Sequence, residues 1–140
     1  ARPAPPPGPP EPAAGRWPAG TPPPVKIFVV GSWDGFRPVA MRWEAGVFEH
    51  TVEVGPAGCE SFQLRRGRSV AQTIYPSAAD ASVFDAQDAW FLQGPDERGQ
   101  KKYWKIGRHL QDKASAGDKF AIQVLLDVHG NVAVVHWVRS

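Results

Sequence analysis

Four histidines, His50, His109, His129 and His136, are the side chains of this 140-residue chain best suited to move a proton or hold a metal near neutral pH. They are scattered, and none has a Cys or carboxylate partner at a metal-ligand spacing, so no zinc or iron site is expected. Gly67-Arg68-Ser69-Val70-Ala71 shares a Gly-x-Ser start with the nucleophile elbow. That motif needs a strand–turn–helix setting and a second small residue in place, and no helix is expected after it. Glu49 and Glu53 fall on the same side of an alternating strand, where acids ordinarily face solvent and not each other across a cleft. No Gly-rich phosphate loop is present. The sequence therefore predicts a protein without catalytic residues, metal or cofactor.

Binding chemistry has better candidates. Arg65, Arg66 and Arg68 form one basic cluster, and Arg98, Lys101, Lys102, Lys105 and Arg108 form another in which residues 98–108 contain no acid. Cations interleaved with Tyr103 and Trp104 are what a single-stranded nucleic acid needs, phosphates on the cations and bases on the rings. Net charge is only +2, however, which fits an acidic protein partner or a solvated face better than a polyanion. Trp90-Phe91-Leu92 places three large apolar residues in a segment without periodicity. They are expected either to plug one end of the fold or to form an exposed contact patch. Trp33, Trp43, Trp104 and Trp137 are expected mainly in packing roles. The lone Cys59 allows no disulfide within the chain and reads as a small, partly buried hydrophobe.

The elements that must position these groups divide at Val25. Residues 1–24 hold eleven of the fifteen prolines and one large side chain, Trp17. Proline fixes φ and removes the backbone donor, so the segment reads as a polyproline II arm that ends in a partner's groove with Trp17 as anchor, or else as a linker. The chain begins at Ala1, which suits removal of a targeting segment or a start inside a longer protein. From Val25 to Ser140 the texture is β. Strands are expected at Val25–Val30, Val47–Val54, Ser61–Arg66, Val70–Tyr75, Tyr103–Ile106, Phe120–Val128 and Asn131–Arg139. The sixth places Phe120, Ile122, Val124, Leu126 and Val128 on one face, and His129-Gly130 reads as a two-residue hairpin turn before the seventh. About seven strands in this length predict an all-β, immunoglobulin-like β-sandwich, with a long irregular loop over 77–102 in which Gly94-Pro95-Asp96 marks a turn. No apolar run is long enough to cross a bilayer as a helix.

The run Val29-Val30-Gly31-Ser32-Trp33-Asp34-Gly35-Phe36, then Met41, then Gly46-Val47-Phe48-Glu49, resembles the starch- and glycogen-binding β-sandwich modules. That family includes carbohydrate-binding modules beside amylase-type enzymes and the glycogen-binding domain of the AMP-activated kinase β subunit. Glu60-Ser61-Phe62-Gln63-Leu64 is similar to the family's hydrophobic–lysine–hydrophobic strand, and the match covers about Val25 to Ser69. Gly94-Pro95-Asp96 and Trp104-Lys105-Ile106 look like a divergent version from plastid-bearing algal protists, and a plastid location follows from that resemblance alone. The resemblance implies that Phe36 stacks on a glucose ring and that Gln63 stands where the family has lysine. The family's second sugar-stacking tryptophan falls near Arg68 or Ser69.

With two of three sugar contacts replaced, the preferred expectation is a non-catalytic accessory or assembly subunit of a larger protein complex. Trp17, Trp90, Phe91, Leu92, Lys101, Lys102 and Arg108 would contact its protein partners. The alternative is an α-glucan-binding module with Trp33, Phe36, Trp43 and Gln63 as its platform.

Overall fold

Ile27–Val30 is apolar at every position, the signature of a strand buried on both faces, and all four residues are buried. In the computed structural model, which describes residues 10–13 and 15–140, this run is the first of ten strands. These are β1 (Ile27–Gly31), β2 (Val39–Ala40), β3 (Arg42–Glu44), β4 (Val47–Glu53), β5 (Glu60–Arg66), β6 (Thr73–Pro76), β7 (Leu92–Asp96), β8 (Trp104–Ile106), β9 (Lys119–Leu126) and β10 (Val132–Arg139).

They form two antiparallel sheets packed face to face in a sandwich-like arrangement. The six-stranded sheet runs β2-β1-β5-β6-β7, and the two ends of one β5 edge are shared between β8 and β6. The four-stranded sheet runs β10-β9-β4-β3. Alternation selects the core: Ile27, Val29, Phe62 and Leu64 from one sheet meet Phe48, Val52, Ile122 and Val124 from the other. An aromatic cluster sits at its centre. Phe62 stacks on Trp104 with centroids 5.5 Å apart and takes the edge of Trp137 at 5.7 Å. The Trp137 indole N–H donates to the buried carboxylate of Asp112 at 2.8 Å, whose other oxygen accepts from the Gly107 N–H. That pair of bonds satisfies a buried polar tip and fixes the 107–113 turn.

Strands stand at or within all seven expected places, and three more lie outside them. The expected Val70–Tyr75 strand is half helix: Val70–Gln72 is a one-turn 3-10 helix capped by the Ser69 hydroxyl, where no helix is expected, and β6 begins only at Thr73. β2 and β3 have two and three residues, too short for a period to show. β7 lies inside the segment expected to be an irregular loop, and Gly94-Pro95, a cis pair, belongs to this strand and is not a free turn. Proline is tolerated there because β7 is an edge strand and no partner needs its missing N–H. Val128 is not on the core face: β9 ends at Leu126, and Val128 is 44% exposed. The β9–β10 connection is also longer than two residues. Asp127 organises it, its Oδ1 accepting the N–H groups of His129 and Asn131 at 2.9 and 3.0 Å, while Gly130 supplies a φ of +82°.

The described part of the arm folds back on the sandwich. Arg16 pairs as an antiparallel bridge with Asp127, and the Trp17 N–H donates to the Leu126 carbonyl at 3.0 Å. Trp17 packs against the hydrophobic core, and Pro24 lies against Gly130. Trp17, expected to anchor the arm in a partner's groove, is half-buried here with its ring packed against this chain's own core. The polyproline reading of residues 1–9 lies outside the described residues.

Candidate functional site

Strand β7 ends one sheet and β10 ends the other, and among the described residues no strand pairs with the outer edge of either. The two edges flank a groove of about 360 Å³, lined by Val83 and Trp90–Leu92, by Ala133–His136 of β10, and by Pro10 of the arm. Three forces build its aromatic wall. The Trp90 indole N–H donates to the Ser82 carbonyl at 2.9 Å, and its ring meets Trp104 edge-on at 5.9 Å. The Phe91 N–H is held by the Ser77 hydroxyl at 3.0 Å. With its neighbours fixed, the Phe91 ring is left 64% exposed. Trp90 is therefore a plug and Phe91 a projecting contact.

The opposite wall carries His136, paired in register with Gln123. Its Nε2 is buried and finds no partner among the described residues, and neither does Gln123 Oε1. Burial holds the His136 pKa below the ordinary value of 6.5, so the imidazole is neutral at pH 7.

The outer face of the six-stranded sheet presents a second set of groups. Phe28 and Val30 point away from the core yet are only 6% and 2% exposed. Arg68 covers Phe28, its guanidinium carbon 5.2 Å above the ring, and the 97–103 segment lies against Gln63 and Tyr75 of the same sheet. Gln63 ties that segment down, its amide donating to the carbonyls of Gly99 and Lys102. Gly99 must be glycine because a Cβ there would strike the Tyr75 ring. The Tyr75 hydroxyl donates to Asp96 at 2.8 Å, and Lys102 Nζ stands 5.9 Å from the ring centroid.

The Ser32–Asp34 turn supplies a third. Gly31 is required because the Trp33 ring lies where its Cβ would be, and that ring stacks on His50 at 5.9 Å. Burial lowers the His50 pKa against an opposing pull from Asp34. Phe36 follows with φ of +64°, a left-handed conformation costly for a bulky residue. It is 41% exposed and lies 5.5 Å from Tyr103.

The expected contact residues thus separate. Trp90, Phe91 and Leu92 come together in the groove. Lys101 and Lys102 belong to the cover of the six-stranded sheet, while Arg108 is ion-paired with Asp85. Trp17 lies against the core. Among the expected sugar contacts, only Phe36 is presented to solvent as a ring. Gln63 is buried, Trp33 is half-buried on His50 and Phe62, and Trp43 meets Phe48 edge-on at 4.8 Å. Sequence reasoning missed Tyr103 as the neighbour of Phe36 and His136 as a groove wall. Tyr103 stood out only as a stacking ring among cations, and nothing local links it to Phe36, 67 positions away. His136 carried one, an imidazole among the apolar residues of an expected terminal strand.

No family model matches the chain, and no curated protein or solved structure matches it significantly. Two packed antiparallel sheets define the fold without identifying a family.

Proposed function

We propose that this protein is a non-catalytic assembly domain that seats a protein partner on the flank between β7 and β10. The carrying observation is Phe91, 64% exposed beside a groove that separates two strand edges unpaired among the described residues. An unpaired edge offers backbone donors and acceptors to an added strand, while alternate side chains of that strand enter the groove. Burying Phe91 contributes roughly 1.5–3 kcal/mol, enough to make it the central anchor of such a contact. In this reading the scaffold is an immunoglobulin-like sandwich of the kind to which the Val29–Phe36 resemblance points.

The test is the native size of the protein in its source, with crosslinking to identify neighbours. Co-migration with a larger assembly, lost for Phe91→Asp while the unfolding midpoint stays unchanged, supports the proposal. Migration of the wild type as a single chain overturns it.

A second reading is favoured by one observation, the exposed Phe36 ring beside Tyr103. Two adjoining aromatic faces suit the apolar side of a sugar, which makes α-glucan binding the alternative. Retention on amylopectin that Phe36→Ala abolishes would establish it, and absence of retention ends it.

A further inference from the structure

The Arg65–Arg68 cluster has no part in the flank described above, and its geometry is specific. Lys26, Arg66 and Arg68 line one open cleft of about 580 Å³, completed by Val25, Phe28 and Gly67, with no acid in its wall. Register brings them together. Ile27 pairs with Arg66 across β1 and β5, which sets Lys26 opposite the Gly67 turn between the two arginines. None of the three cations forms an ion pair among the described residues, although Arg16, Arg42, Arg108 and Arg139 all do. Like charges brought to one cleft repel, and the fold retains three of them here, at the ends of β1 and β5, without a counter-charge among the described residues.

Arg68 is also held in place at both ends. Its carbonyl accepts from Arg65 Nη1 at 3.0 Å, and its guanidinium rests on the Phe28 ring. A guanidinium stacked on an aromatic face keeps its N–H edge free and already oriented. This oriented fork, the second guanidinium of Arg66 and the Lys26 ammonium supply the donor set that a tetrahedral dianion accepts, with bidentate bonds from arginine and a mobile point charge from lysine. A polyanion would instead need a continuous basic stripe, and this is a single cleft.

We propose that the Lys26–Arg66–Arg68 cleft binds a phosphoryl group, either as the free dianion or at the end of a phosphate monoester. The inference does not rest on the flank-docking reading.

The test titrates the full chain with sodium phosphate and, at matched ionic strength, with sodium chloride, following the Gly67 amide and the arginine side-chain N–H groups by NMR. Phosphate is expected to give saturable shifts that chloride does not. The Arg66→Gln/Arg68→Gln double variant weakens them by about tenfold or more. Arg68→Lys keeps the charge but loses the fork, and is expected to fall between the two. Lys119→Gln, on the other sheet, leaves binding unchanged and guards against an effect of net charge alone. Glucose 6-phosphate sorts the source: tighter binding than inorganic phosphate identifies an ester, equal binding the free anion. Chloride shifting the same resonances equally, or a double variant that binds phosphate like the wild type, overturns the site.

Discussion

Phe36 is exposed and Gln63 buried, and their energetics run in opposite directions. Phe36 pays for its exposed position with a left-handed backbone, which costs about 1–3 kcal/mol for a non-glycine residue. Phe36→Gly is therefore expected to raise the unfolding free energy by about 0.5–1 kcal/mol in urea titration, net of the greater chain entropy of glycine. A loss of stability would show that the ring's contact with Tyr103 outweighs the strain. Gln63 does the reverse. Removing its amide strips the Gly99 and Lys102 carbonyls of their donor in a covered site. Gln63→Ala is expected to cost about 2 kcal/mol and to speed amide exchange across residues 97–103. Unchanged exchange there would show that the segment is held by its other contacts.

At the level of elements, the arm and the edge strands have complementary roles. Residues 15–24 cross the turns of the four-stranded sheet: Arg16 Nη2 donates to the Gly46 carbonyl at 3.2 Å, Ala19 lies against Gly46, and Pro24 lies against Gly130. Trp17→Ala is expected to destabilise the sandwich by about 2 kcal/mol, less than a fully buried tryptophan because the ring is only half-covered. An unchanged thermal midpoint would leave Trp17 free to serve another molecule. Phe91 on the open flank supports nothing of this kind, so Phe91→Asp separates binding from folding. The same contrast explains why the protein keeps Pro95 in β7: an edge strand loses no ladder bond to it, and its missing donor limits pairing from outside.

For the molecule as a whole, acid stability reflects two sets of groups. His50 and His136 have pKa values pushed below 6.5 by burial, so the unfolded chain takes up these protons first as pH falls. Their contribution is complete above 6.5 and is lost as pH drops through the depressed native values. Asp96 is lowered first by the Arg98 N–H and Asp118 first by the Arg139 side chain. Stability from these carboxylates is present above the ordinary value of 3.8 and is lost as pH falls through their lower native values. Unfolding free energy is thus expected to decline in two stages. His50→Gln with His136→Gln should flatten only the upper stage; a decline there that both substitutions leave intact would assign it to other groups.

Period-two alternation in Val47–Val54 and Phe120–Leu126, and the unbroken apolar run of β1, determined the all-β class and most of the core. One buried face is enough to specify such strands, because a shift by one residue would expose the whole set. The sequence also singled out Trp90–Leu92 and the Arg65–Arg68 cluster as unusual. Tertiary structure alone decided what each does, since surface or burial depends on residues far away in the chain. Trp90 is a plug because Trp104 and Ser82 are there to receive it, and Phe91 is left out because β7 has no further strand beside it among the described residues. Trp17 lies half-buried against the core because the arm's backbone pairs with β9, its N–H donating to the Leu126 carbonyl. Lys26 joined Arg66 and Arg68 only through the β1–β5 register, a pairing across about forty residues that no local pattern encodes.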